Sequence, residues 1–446
     1  MKQKFPRSQE VADNKLLKIV TLGCSKNTVD SEKLLRQIKA AGYSVVYDPD
    51  TEKVDTVIIN TCGFINDAKE ESINTILRFV KAGREGLIRK LYVMGCLSER
   101  YRDALREEIP EVDRYFGVNS MEDILAELGA VTQPELLSDR VLTGPSHYAY
   151  LKVSEGCDRK CAFCAIPLIR GKYVSRKTED IVKEAEILAG QGVRELMLIA
   201  QDLGYYGVDL YGKRELPRLV SDLLSIDAFE WIRLHYLYPS GFPAELLKMM
   251  RENPKLCSYV DIPIQHISGR MLKIMKRSHG PKATRDLLYR IRRDLPEAAV
   301  RTTLIAGHPG ETEADYMELR DFISDYRFDR LGVFAYSHEE GTMSGDRYSD
   351  DVSQELKESR VSELMAIQQS ISGELNAKKT GHILKTVIDR KEGDYFVGRT
   401  EYDSPEVDNE VLISSASELT PGSFHQILVT GSTEFDLFGT PAAESL

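Results

Sequence analysis

The segment SEGCDRKCAFCAIP (154–167) sets Cys157, Cys161 and Cys164 in a C-x3-C-x2-C spacing. Three thiolates this close can hold three corners of a cubane iron–sulfur cluster, for which cysteine is the usual protein ligand. The fourth iron would then lack a protein ligand and stand open to a small molecule. Structural zinc wants four closed ligands. No fourth Cys or His lies within reach in sequence, so zinc is the weaker reading. Three unliganded core cysteines are weaker still. The segment overlaps YAYLKVSEG (148–156), a strand-like run. A ligand loop straight after a strand belongs to the edge where barrels and open α/β sheets carry their sites.

Downstream, ELMLIA (195–200), WIRLHYL (231–237), YVDIPI (259–264), AVRTTLIAG (299–307) and RLGVFAY (330–336) repeat the pattern of a buried strand. Helical segments separate them, such as TEDIVKEAEILAGQG (178–192), where Thr178 is the expected cap. Six strand–helix units predict an open (β/α)6 barrel over 148–375, ending in an amphipathic helix around 354–376. Upstream, VTQPELLSDRVLTGPSHY (131–148) holds Pro134, Gly144 and Pro145, and residues 134–147 are expected to form a linker.

Before that linker, LKIVTLGC (17–24), DTVIINTCGF (55–64) and RKLYVMGC (89–96) alternate with helical stretches such as SEKLLRQIKAAG (31–42), which Gly42 should end. This predicts a parallel α/β domain over 17–133. Each run carries a cysteine at or near its end, so Cys24, Cys62 and Cys96 should converge at one sheet edge. The plainer reading is three buried thiols at strand ends. Cys257 belongs to neither set and reads as a buried or incidental thiol. Residues 1–16 read as a frayed tail. From 376 to 442, ILKTVIDR, DYFVGRTEY, EVLIS and SFHQILVTGST are short strands with turns between them, a small all-β barrel. The fold class is therefore α/β with an all-β C-terminal module.

The chain has 446 residues, room for roughly three domains. With 42% apolar and 29% charged residues it is globular rather than disordered or low-complexity. No apolar run approaches the roughly 18 residues of a membrane helix, so no membrane association is expected. MKQKFPRSQEVADNK at the N-terminus has no apolar core behind its basic residues. No secretory signal is expected, and the location implied is cytoplasmic. In a reducing compartment clustered cysteines speak for metal or redox chemistry rather than disulfides. A net charge of −11 argues against a general nucleic-acid binder, leaving room for a local basic groove.

The cysteine loop, with Phe163 just before the third cysteine, resembles the signature of the radical S-adenosylmethionine (SAM) superfamily. The resemblance implies a [4Fe–4S] cluster on Cys157, Cys161 and Cys164. SAM would chelate its open iron and be cleaved reductively to methionine and a 5′-deoxyadenosyl radical. TLIAGHPGET (303–312), with Gly307, Pro309, Gly310 and Glu311, resembles the family's SAM-supporting segment. Cys24, Cys62 and Cys96, in TLGCSKN, NTCGF and GCLSERY, resemble the cysteine set of the methylthiotransferases, which implies a second [4Fe–4S] cluster. The C-terminal module resembles their TRAM domain. The resemblance runs from about Leu17 to Pro441. Phe163, Gly307, Gln201 and Arg233 are the expected cofactor contacts. Asp202 and His235 could touch SAM or substrate. Arg170 could pair with a carboxylate of either, since Arg suits bidentate contacts. His266 is expected to be structural.

NTCGFINDAKEES (60–72), LMLIAQDL (196–203), IRLHYLYPSGFP (232–243), DIPIQHIS (261–268) and RTTLIAGHPGET (301–312) look like the branch that acts on small-subunit ribosomal protein twelve. That implies transfer of a methylthio group to the β-carbon of an aspartate. One SAM would methylate a sulfur at the N-terminal cluster and a second would yield the radical. A one-electron donor such as flavodoxin or ferredoxin and a monomeric chain are also implied. One alternative is a methylthiotransferase of tRNA adenosine. Another, of a different class, is a ribosome- or RNA-binding factor with structural clusters. Residues 376–446 carry 6 Lys and Arg against 12 Asp and Glu, about −6 net. That suits a basic protein better than tRNA, although a solvated acidic face would look the same. The run EYDSPEVDNE (401–410) is expected to be an exposed loop and the recruiting surface.

Overall fold

The computed structural model describes residues 16–46, 53–416 and 418–442, so the expected tail lies outside them up to residue 15. The N-terminal domain is a parallel five-stranded sheet in the order Ser44–Val46, Leu16–Thr21, Val54–Thr61, Ile88–Gly95 and Arg114–Tyr115. Ile58, Tyr92 and Met94 pack on one face, with Leu34 and Ile38 of the helix Ser25–Ala40. Val57, Ile59, Leu91 and Val93 pack on the other, with Ile76 and Phe79 of the helix Asn66–Arg84. Both side-chain parities are buried, which is why these strands read as near-continuous apolar runs. The registers Thr21↔Asn60 and Thr61↔Gly95 bring the ends of the three central strands level.

The barrel has six parallel strands in two sets of three. Tyr148–Lys152, Glu195–Ile199 and Trp231–Leu234 form one set; Tyr259–Asp261, Ala299–Ala306 and Arg330–Ala335 form the other. Ala149, Leu151, Leu196, Leu198, Ile232, Val260, Val300 and Leu331 face the surrounding helices. The alternate positions face the lumen and carry its charged groups, among them Glu195, Arg233, Asp261, Arg301 and Arg330. Instead of closing on the first strand, the last packs against the helix Gln354–Ala377. That helix buries Lys357, Arg360, Leu364, Gln368 and Ile371 at helical spacing. Arg360 pairs with Glu311 at 2.6 Å, and Asn376 donates to the carbonyl of Thr433, tying barrel to C-terminal module.

That module is a closed five-stranded barrel of Ile383–Glu392, Tyr395–Thr400, Val411–Ile413, Leu437–Pro441 and Phe424–Ser432. Among the described residues no helix is long and apolar enough to cross a membrane.

Three expectations are corrected. The run 401–410 is a docking loop at the barrel's N-terminal mouth, with only Glu406 and Val407 among its residues exposed. Asp403 pairs with Arg330 (Nε at 3.0 Å), and Asp408 accepts from the Tyr259 hydroxyl at 2.6 Å and pairs with Arg301 at 3.4 Å. Burial alone would raise the Asp403 carboxyl, but Arg330 and Lys379 hold it below its ordinary range. Asp403 and Asp408 neutralise lumen arginines, so the run is not the wholly exposed acidic loop expected. Arg233, expected at the cofactor, is fully enclosed at this same seam. It donates to Glu195 at 2.9 Å and to the Glu401 carbonyl at 2.7 Å. Thr178 is not a cap: its helix, Thr178–Gly190, has Lys177 at the N-cap position with no side-chain cap, and the Thr178 hydroxyl meets those of Tyr206 and Tyr211.

Cys257 is buried in the seam cluster with Trp231, Tyr259 and Val387, and burial pushes its thiol up to about 12. The stretch 131–147 is a strap rather than a loose tether. Within it Arg140 is buried between Glu32 (3.3 Å) and Glu184 (3.5 Å).

Candidate active site

The loop bearing Cys157, Cys161 and Cys164 is stitched down at both sides. Cys157 N–H donates to the Gly171 carbonyl (3.1 Å) and Ala162 N–H to that of Met275 (2.9 Å). The Ala162 carbonyl accepts from Ser344 N–H at 2.7 Å. The three cysteines line one cavity of about 380 Å³, rimmed by Arg159, Lys160, Lys172 and Lys276. Burial pushes the Cys157 thiol up to about 11 and Cys164 up to about 12, each raised further by neighbouring cysteines. Thiols so placed are neutral unless a metal takes the proton's place. Arg277 Nη1 lies 3.2 Å from Cys161 Sγ, and the Tyr238 hydroxyl 4.0 Å.

The N-terminal three sit where strands turn into helices. Cys24 stands at the N-cap position of the helix Ser25–Ala40, and Cys96 opens the helix Cys96–Glu108. Gly23 has φ +89°, and a Cβ there would lie 2.6 Å from Cys62 Cβ and 2.9 Å from its sulfur. Only glycine lets the two strand ends close this far. The Ser72 hydroxyl accepts from Cys62 N–H at 3.1 Å and donates to its carbonyl at 2.9 Å. Burial pushes the Cys96 thiol up to about 11; Arg170 opposes that, and the charges of Cys24 and Cys62 add to it. Cys62 is raised too, first by burial. Cys24 is exposed, so this site opens outward.

The two sets face each other across the domain boundary. Cys96 and Val118 pack with Ala165 and Ile169, on the helical turn that follows Cys164. Lys26 Nζ sits 3.6 Å above the Tyr236 ring of the barrel. Arg100 and Lys69 converge on Glu339, two residues before the cavity wall at Gly341. Arg170 does not reach for a ligand carboxylate. Its guanidinium is committed to Asp30 (3.1 Å), Glu155 (2.9 Å) and Asn27 Oδ1 (2.7 Å).

On the barrel side, the Phe163 ring meets His308 edge to face at 6.4 Å, which brings the cysteine loop onto the 307–312 turn. Gly307 shapes that turn: its φ is +73°, its N–H is bonded to Glu311 Oε2 (2.8 Å), and Lys357 fills the space a Cβ would take. Gln201 is half-buried with Oε1 enclosed and unpartnered by protein. Asp202 pairs with Arg159 at 2.8 Å and keeps Oδ1 enclosed and unpartnered. His235 is bonded to Ser404 at 3.2 Å in the seam, away from the cavity. His266 is structural, with Nδ1 accepting from two backbone N–H groups and Nε2 against Glu311.

Asn27, Arg277 and the Glu339 pair were not singled out in sequence. Asn27 stands inside TLGCSKN, three residues after Cys24, and that spacing was its one available signal.

Among the described residues no three Cys, His, Asp or Glu close around a single ion. The donor set suits a larger group bound by three thiolates: two all-cysteine trios, enclosed acceptors on Gln201 and Asp202, and cations around the cavity. Residues 16–117 match the model of the Uncharacterized protein family UPF0004, residues 151–323 the Radical SAM superfamily and residues 380–441 the TRAM domain. A radical SAM methyltransferase, TsrM from Kitasatospora setae, solved with cobalamin and a [4Fe-4S] cluster, shares the fold. The TM-score is 0.53 at 13% identity, covering 74% of this chain and 77% of that one. Fold and cysteine loop together define a radical SAM enzyme.

The ribosomal protein uS12 methylthiotransferase RimO of Phocaeicola vulgatus is 53% identical, over 95% of this chain and 98% of its own. That of Bacteroides fragilis is 54% identical (95% and 99%), and that of Flavobacterium psychrophilum 53% (98% and 100%). The chain belongs to the family of RimO ribosomal protein uS12 methylthiotransferases.

Proposed function

We propose that the protein transfers a methylthio group to the β-carbon of an aspartate in ribosomal protein uS12, with two [4Fe–4S] clusters and two molecules of SAM. The observation that carries this reading is the juxtaposition of two cysteine trios across one boundary, through Cys96, Ala165 and Ile169. Cys157, Cys161 and Cys164 would hold one cluster and Cys24, Cys62 and Cys96 the other. A cluster and SAM bound there supply reductive SAM cleavage, and so hydrogen abstraction from an unactivated carbon that acid–base groups cannot deprotonate. The chain's part is to hold, orient and enclose. Phe163 fixes the cysteine loop against the SAM-side turn. Gln201 and Asp202 offer acceptors to the cofactor. Glu339, gripped by Arg100 and Lys69, keeps the cavity wall against the N-terminal domain. Cys24 is exposed, which suits entry of a substrate loop on that side. In this reading the chain works as a cytoplasmic monomer, reduced by a donor such as flavodoxin or ferredoxin.

Mass spectrometry of uS12 and of bulk tRNA, from cells with and without the gene, tests the substrate. The methylthio mark should vanish from uS12 alone; its loss from tRNA instead would sink the proposal.

A further inference from the structure

We propose that Arg170 is a positioning residue of the N-terminal cluster: from the opposite domain it donates an N–H to the Cys96 sulfur and so sets that cluster's reduction potential. This rests on the two-cluster reading above. Arg170 ends the short helix Ile166–Arg170 that follows Cys164, so it belongs to the radical site's own ligand loop. Its side chain is nearly fully buried and crosses the domain boundary. Nη1 is held by Asp30 Oδ2 at 3.1 Å and Glu155 Oε1 at 2.9 Å, while Nη2 donates to Asn27 Oδ1 at 2.7 Å and lies 3.7 Å from Cys96 Sγ.

Lys152 pairs with the same two acids. The quartet of two cations and two carboxylates is therefore balanced, and Arg170 needs no further anion. What remains is a fixed, cationic N–H edge against a ligand sulfur. Hydrogen bonds to the sulfurs, with net charge and exposure, set the potentials of iron–sulfur clusters. A cationic donor favours the more negative, reduced state and moves the potential upward. Arg277 stands in the same relation to Cys161 at 3.2 Å, but from within the barrel. Arg170 alone of these two makes the ligand loop of one cluster a partner of the other.

The test is an EPR-monitored redox titration, with iron analysis, of reconstituted full-length parent, Arg170→Gln and Arg170→Lys. The N-terminal signal is assigned by its loss in the Cys24/Cys62/Cys96→Ala variant. The parent should hold about eight irons and both variants should keep them. The N-terminal midpoint should move to more negative potential in Arg170→Gln and by less in Arg170→Lys, with the other midpoint unmoved. An unmoved N-terminal midpoint, or equal movement of both, overturns the proposal. If Arg170→Gln loses its iron, Arg170→Lys decides: its charge stays between Asp30 and Glu155 but the fork is gone, and an unmoved midpoint there overturns it. A parent with about four irons, unaffected by replacing Cys24, Cys62 and Cys96, would remove the two-cluster reading instead.

Discussion

Gly23 shows how far the site depends on single positions. An alanine there takes on a left-handed backbone, costing about 1–2 kcal/mol, and drives its Cβ into Cys62. Gly42→Ala carries the same kind of backbone strain, with φ +83° but nothing near its Cβ. We expect Gly23→Ala to lose about four of about eight irons and Gly42→Ala to lose none, as an iron assay would read. The two cysteine trios were legible because tight spacing marks one in the sequence and strand ends mark the other. Arg277 was not, since 116 residues separate it from Cys161 and its spacing carries no pattern. Arg233 was misjudged because an arginine on a barrel strand reads alike whether it faces a ligand or a docked loop. The Glu401 carbonyl at 2.7 Å, with that of Thr400 at 3.4 Å, distinguishes the two.

At the scale of elements, the loop 401–410 works through buried pairs. Asp403→Asn leaves Arg330 enclosed without its counter-charge, a loss of about 3–5 kcal/mol. Glu406→Lys, on the exposed part of the same loop, should stay within about 0.5 kcal/mol. Denaturant titration compares the two, and similar stabilities would contradict the docking role. The long central strands were readable because burial on both faces forces apolar runs. Ser44–Val46, Arg114–Tyr115 and the closing strand Leu437–Pro441 were not. The first two are too short to show a period. The third spends Gly439 and Pro441 inside the strand, and Gly439 is required because a Cβ there would lie 2.5 Å from Ile427.

For the whole molecule, buried titratable groups of the barrel make stability depend on pH. Burial would raise Asp261, but Arg301 and His235 bring it down to about 2. Burial, with Arg277 and Arg159 nearby, lowers His279 to about 3. The unfolded chain therefore binds more protons than the folded one: at His279 between about pH 6.5 and 3, and at Asp261 between about 4 and 2. Stability should be fully present above pH 6.5 and fall as acid is added. His279→Gln should flatten the upper part of that fall in urea titrations at stepped pH. A parent whose stability stays level from pH 6.5 to 4.5 would contradict this.

The central claim is that two cysteine sets, facing each other across one boundary, do different jobs on uS12. The most direct measurement follows 5′-deoxyadenosine and methylthiolated uS12 together, in reduced, reconstituted protein carrying Cys24, Cys62 and Cys96→Ala. The account predicts continued 5′-deoxyadenosine formation with no methylthio group on uS12. Methylthiolated uS12 at the parent's rate from that variant would contradict it.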